Sequence, residues 1–189
     1  FIKQGRHAKK DDIAKEIEKF IESRLVSYLK NKGIRHDIIS ASVPFFKVDN
    51  LSALMYRVQA LNNFVFSLDV NNLLGGYKRA YNILSIEEKK DSYIYSEEPS
   101  ADIFEQDEES KLYEKLQEVS KNTLKHIDSE KFTESMEELS KLKNPIDNFF
   151  EYVKVNSSDK LIRKNRLYLL AKIRNTFNKV ADFSKLDSI

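Results

Sequence analysis

The chain has 189 residues with 41% hydrophobic and 33% charged side chains and a formal net charge of +2, the balance of a soluble globular chain able to bury a sizeable core. The absence of cysteine excludes disulfides and thiolate-bound metals and is compatible with a reducing cytoplasm. No apolar run approaches the roughly 20 residues needed to span a bilayer, no signal-peptide pattern opens the chain, and four Gly and three Pro leave little material for a turn-rich β fold.

The expected class is therefore all-α, a helical bundle. A start at Phe1 rather than Met is expected of a piece of a longer protein. Residues 1–10 are basic and aperiodic, which reads as a frayed arm whose Lys9 and Lys10 are able to touch phosphate. From an N-cap at Asp11 or Asp12, the spacing of Ile13, Ile17, Phe20, Ile21, Leu25 and Tyr28 predicts an amphipathic helix ending at Gly33. A short helix with Ile38, Ile39 and Val43 follows, limited by Pro44. Asp49 or Asn50 caps a predicted helix over 51–61, and after a connector at 62–67 another is predicted from Asp69 to Leu84. Within the latter, Gly75–Gly76 lacks any phosphate-loop pattern and reads as a weak point or a close helix contact, while Lys78, Arg79 and Asn82 form a compact cationic and amide face.

Residues 97–109 hold seven acids and no base, the sharpest break in composition, and read as a solvated linker anchored by Ile103 and Phe104. Their spacing lacks the order and glycine of a calcium loop, so no metal is assigned. Helices are then predicted over 110–127 (Leu112, Leu116, Val119, Leu124 and Ile127 inward), from a cap at Ser129, and from an N-cap at Asn144 with Pro145 at the first helical position. The expected division is a helical part at 1–95 packed on the rest, an acidic linker or loop at 96–110, and a C-terminal bundle at 111–189, in one domain or two closely packed helical subdomains.

The last helix starts after Ser157–Asp159. Residues 160–180 carry seven basic side chains and no acid. Ile162, Leu169, Ile173, Phe177 and Val180 make an apolar stripe, and Lys164, Tyr168, Lys172, Asn175 and Lys179 recur on the opposite side, a face suited to phosphates and unstacked bases. Arg166 falls on the apolar stripe, where a guanidinium needs an anionic partner; Asp147 is the nearest plausible one.

The runs Leu142–Val155 and Arg163–Leu186 resemble the C-terminal end of the bacterial glycyl-tRNA synthetase beta subunit. The resemblance rests on Pro145, Asp147, Phe149, Phe150, Arg163, Asn165, Arg166, Leu167, Leu169, Leu170 and Val180-Ala181-Asp182, and extends upstream to residues 20–43 and 77–84. Lys160 stands where the family commonly has an acid, and Ile162 replaces Leu. The resemblance implies an all-helical DALR-type anticodon-binding domain, a glycine tRNA and the synthetase alpha subunit as partners, and a cytoplasmic location. It implies no cofactor here, ATP and magnesium serving the alpha subunit. Phosphate positioning is expected from Lys164, Lys172, Lys179 and Arg174, base reading from Arg79, Asn82, Arg163, Asn165, Arg166 and Tyr168, with Lys78 beside them. His7, His36 and His126 are scattered, and no phosphate loop, metal-ligand spacing or adenylation signature accompanies them, so no catalytic residue is assigned. The alternatives are a helical subunit-docking module without RNA readout and an arginyl-type anticodon domain.

Overall fold

A computed structural model describes residues 2–67 and 70–187, with side chains described from Asp12 onward except Asn71. The elements are α1 (Ile2–Asn31), α2 (His36–Ser42), α3 (Leu51–Val65), α4 (Val70–Asp91), α5 (Asp107–Asp128), α6 (Phe132–Ser140), α7 (Lys143–Tyr152) and α8 (Lys160–Phe177), with 3-10 turns at Val43–Phe45, Ala101–Ile103 and Phe183–Lys185. The fold is all-α. The side chains of Lys9 and Lys10, and the predicted cap Asp69, lie outside the described residues.

Several boundaries differ from the sequence reading for local reasons. α1 extends back to Ile2, because Gln4, Arg6, Ala8 and the lysines are good helix formers and outweigh the single Gly5. It ends as predicted, Gly33 taking φ +79 with its N–H on Lys30 O and that of Ile34 on Leu29 O. α3 is capped by the Asn50 side chain, which accepts from Ala53 N at 3.0 Å, and runs four residues past Leu61. α4 continues seven residues beyond Leu84 through Ser85–Asp91. α6 starts at Phe132 rather than at a Ser129 cap, since Ser129 closes α5 and Glu130 takes a positive φ of 56° to turn the chain. α7 begins at Lys143, so Pro145 sits third in the helix, where its missing N–H has no helical partner to lose. On α5 the inward row is Leu112, Leu116, Val119 and Thr123; Leu124, predicted inward, is exposed because it falls one position off that row.

One continuous core runs from Leu29 to Leu186. Its centre is an aromatic cluster in which Tyr77 lies 4.9 Å from Phe177 and 5.7 Å from Phe183, Phe177 and Phe183 meet edge to face at 5.1 Å, and Phe64 joins Phe183 at 6.3 Å. The Val180-Ala181-Asp182 step explains itself here. Val180 and Ala181 are fully buried, Asp182 caps the last 3-10 turn by accepting from Ser184 N, and its own N–H donates to Ala41 O at 2.8 Å, pinning the C-terminal turn to α2.

α4 packs closely on α7 at Gly76, where an added Cβ would lie 2.8 Å from Ile146 Cγ2. Gly76→Ala should therefore destabilise by about 1–3 kcal/mol through overpacking. Gly75→Ala, with nothing within 4 Å, should be neutral or stabilise by up to about 1 kcal/mol through helix propensity. Urea midpoints of the two variants check this, and equal midpoints would contradict the close contact.

Candidate nucleic-acid interface

α8 starts on the side chain of Asp159, which accepts from Leu161 N at 2.8 Å and Ile162 N at 3.1 Å. Its buried side carries Leu167, Leu169, Leu170, Ile173 and Phe177. α4 opposes it in antiparallel order: Tyr77 OH donates to Asn178 at 3.2 Å, Glu88 meets Arg174, and Glu87 and Asp91 meet Arg163.

The basic helix is thus extensively paired within the chain. Arg163 donates to Glu87 and, at 2.6 Å, to Asp91; burial opposes its charge, but these two carboxylates outweigh that and hold its pKa above the ordinary value. The same bond keeps the Glu87 carboxyl below its usual range. Arg174 donates through Nη1 to both oxygens of Glu88, at 3.0 and 3.1 Å, and through Nη2 to Tyr95 O at 3.3 Å.

Arg166 is buried as its position on the apolar stripe requires, and it is paired, but not by Asp147, which is exposed on α7. Its Nε and Nη2 donate to Glu109 at 2.9 and 3.1 Å, Nη2 also to Glu105 at 3.0 Å, and Nη1 to Lys154 O at 3.1 Å. Burial works against the guanidinium, yet Glu109 and Glu105 raise its pKa. Glu109 itself accepts the N–H groups of Glu105 and Gln106 at the start of α5. Asn165 makes a two-way clamp on Ser100, accepting from its N–H at 2.8 Å and donating to its carbonyl at 2.9 Å. The acidic segment is therefore a loop seated on α8 with Pro99 buried. Net charge alone pointed to solvent; three of the seven carboxylates, Glu98, Glu105 and Glu109, instead pair cations of α8.

What remains open on α8 forms two depressions on either side of Glu97 and Glu98. Toward the helix start, Leu161, Lys164, Asn165, Tyr168, Ile103 and Ser100 line one of about 230 Å³. Lys164 is exposed and stands 5.3 Å from the Tyr93 ring and 5.4 Å from the Tyr168 ring. Tyr168 is buried on Tyr95, and its hydroxyl lies 3.5 Å from that of Tyr93. Tyr93, bonded to Tyr168 and to Glu97 at 2.8 Å, is pushed up to about 12. Toward the helix end, Lys172, Asn175, Thr176, Lys179, Ser96 and Ser120 line a second depression of about 180 Å³. Lys172 is bonded to both oxygens of Glu98.

The predicted residues on α4 lie apart from these depressions. Arg79 is exposed and stacks 4.4 Å over Phe150 of α7, Asn82 is exposed beside it, and Lys78 is half-buried. The sequence reading missed Glu87, Glu88 and Asp91 as partners of α8. The signal was present: they follow Leu84 at helical spacings of three, four and seven, on the inward side of a helix that the reading ended at Leu84. Among the described residues no group of three or more His, Asp or Glu is placed to hold a metal ion, and no helix is long and apolar enough to cross a membrane.

Comparison with known proteins agrees with this architecture. The chain is 44% identical over 178 residues to the glycine–tRNA ligase beta subunit of Rhodospirillum centenum (strain ATCC 51521 / SW), covering 94% of this chain and 25% of that protein. It is 40% identical over 168 residues to the glycine–tRNA ligase beta subunit of Ruegeria sp. (strain TM1040), covering 89% of this chain and 24% of that protein. The chain thus spans about a quarter of the length of the curated relatives it matches. The family model of the DALR anticodon binding domain matches residues 73–184. Those residues run from α4 through the capped turn at Asp182, more than half of the chain, and the chain belongs to the DALR anticodon-binding domain family.

Proposed function

We propose that this chain is the tRNA-binding, anticodon-recognising region of a glycyl-tRNA synthetase beta subunit, supporting the attachment of glycine to its tRNA by an alpha/beta enzyme in the cytoplasm. Its partners are then a glycine tRNA and, in the full enzyme, the alpha subunit, where ATP and magnesium are used. The family match and the relatives' names support the tRNA role. The observation that carries the reading is the row on α8 that keeps an open side: Lys164, Lys172, Asn175 and Lys179 line two adjacent depressions, one floored by Tyr168 and walled by Ile103 and Leu161. Apolar walls beside cations suit an unstacked base with its phosphates alongside. Arg163, Asn165, Arg166 and Arg174 then act mainly by holding this face in shape, and Arg79, Lys78 and Asn82 offer a further contact on α4.

Binding of the chain to a glycine tRNA transcript, and to one differing only in its anticodon, tests this across a salt series. Tighter, salt-sensitive binding to the glycine anticodon is expected, and Lys164→Ala should weaken it several-fold and reduce the log–log salt slope by about 0.7. Equal affinity for both transcripts would remove the anticodon-reading claim.

A second reading, docking of another subunit, is favoured by α1, where Ile13, Ile17 and Phe20 are 53%, 52% and 59% exposed in one row. Salt-insensitive association through that row, without RNA binding, would support it.

A further inference from the structure

The depression at the end of α8 holds a cation, Lys179, that no carboxylate pairs. Lys179 is half-buried, and the hydrogen bond its ammonium donates goes to the neutral hydroxyl of Ser120. Burial and the nearby Lys172 cation together lower the pKa of Lys179, outweighing the attraction of Glu98. Two carboxylates line the site: Glu97 accepts from the Tyr93 hydroxyl at 2.8 Å, and Glu98 spends both oxygens on Lys172, at 2.5 and 2.8 Å, so that neither forms an ion pair with Lys179. Of the two ammonium groups, Lys172 has an ion-pair partner and Lys179 has none.

Thr176 is committed to the Lys172 carbonyl at 2.8 Å, whereas Ser96 and Asn175 are exposed on the rim with donors to offer. Glu98 is 69% exposed on its loop, so it can leave without opening the core, while Asn165 keeps its hold on Ser100 two residues away. A single oxyanion placed between the ammonium groups would satisfy Lys172 and Lys179 together, with the Ser120 hydroxyl beside it, which the Glu98 carboxylate does not do.

We propose that this cavity of about 180 Å³ is a phosphate subsite that takes an RNA phosphodiester, with Glu98 as its displaceable occupant. The inference rests on the RNA-binding reading for the source of the phosphate, but not for the existence of the site. Its location supports RNA over a small phosphorylated molecule: it adjoins the Lys164–Tyr168 depression along α8, so a strand with a base in one lays its backbone toward the other. Glu98 occupies the place of the phosphate and tunes affinity by competition.

Two measurements on the whole chain separate the site from its ligand. The first is titration with inorganic phosphate, followed by amide shifts of Ser96, Ser120 and Asn175. These should move saturably in the wild type, at several-fold lower phosphate in Glu98→Gln, and not in Lys179→Met. No movement in a folded Glu98→Gln protein would overturn the subsite.

The second is tRNA binding across a salt series. Glu98→Gln should tighten it about three- to tenfold, and Lys179→Met should weaken it by a similar factor with a salt slope smaller by about 0.7. Ser120→Ala, which removes the hydroxyl and no charge, should weaken it by less. Phosphate binding together with tRNA binding that ignores all three substitutions would overturn the assignment to RNA. Phosphate binding in a chain that binds no tRNA at low salt would leave the anion site standing and remove the RNA-binding reading instead.

Discussion

Replacing Glu109 with Ala should lower the unfolding free energy by about 3–5 kcal/mol and the melting temperature by on the order of 10 °C for a chain of this length. Glu109 is fully buried, with one oxygen on Arg166 Nε and the other shared between Arg166 Nη2 and the backbone N–H groups of Glu105 and Gln106. Its loss leaves a buried guanidinium to the exposed carboxylate of Glu105 and uncaps α5 in the same stroke. Two further variants separate these effects. Glu109→Gln keeps an acceptor for the α5 N–H groups but not the charge, so it should retain the helix start while leaving the cation only the exposed Glu105 as an ionic partner. Glu109→Ala with Arg166→Met removes both ions and should recover most of the loss, leaving about 1 kcal/mol for the cap. Thermal and urea unfolding read all three, and a loss below about 1 kcal/mol in Glu109→Ala would mean that the pair behaves as a surface salt bridge.

That pair also marks how far the sequence could be read. Position 166 falls on the apolar stripe of α8, so periodicity alone predicted a buried guanidinium with a partner. It did not predict which partner. Asp147 was chosen for nearness along the chain, whereas the partner comes from the start of α5, fifty-seven positions away. Local periodicity fixes which way a residue faces on its own helix; it carries no information on which carboxylate the fold brings opposite.

The acidic loop shows the same limit from the other side. Seven acids between 97 and 109 with no base are, as composition, a solvated segment. Only docking against an equally one-sided basic helix reverses that, and the docking depends on Asn165 gripping Ser100, a neutral contact that charge counting does not register. Among the candidate interface residues the outcome follows the same rule. Arg163, Arg166, Lys172 and Arg174 all meet carboxylates from α4, the loop or α5, while the openness of Lys164 and the lack of an ion pair at Lys179 appear only once those carboxylates are in place. Helix ends were misread where no side-chain signal marked them, as at Asp91, and read well where a cap did, as at Asn50, Gly33 and Asp159.

Arg57→Ala should cost about 3 kcal/mol, because the substitution removes charged hydrogen bonds and cation–ring attraction at once. Arg57 on α3 is a buried cation whose acceptors are neutral. It donates to Val180 O and, at 3.4 Å, to Lys179 O, beyond the last turn of α8, and its guanidinium lies 4.1 Å from the Phe45 ring and 4.4 Å from the Phe132 ring. Burial lowers its pKa to about 10, so it remains charged at neutral pH. The negative end of the α8 dipole and the faces of two rings together replace a carboxylate. A lysine has one compact ammonium in place of a planar fork and cannot face both rings while reaching the carbonyls, so Arg57→Lys should recover less than half of the loss.

The same variant asks how the chain unfolds, because Arg57 joins α3, outside the matched family region, to the end of α8, within it. If the continuous core makes these one cooperative unit, Arg57→Ala shifts a single transition, with helical signal and tyrosine environment changing together. If α1–α3 unfold first, the substitution splits the helical transition while the Tyr77–Phe177 pair stays folded to the wild-type midpoint. Coincident transitions are the expected result, since Phe64 on α3 and Tyr77 on α4 both pack on Phe183, leaving no layer of the core to melt alone.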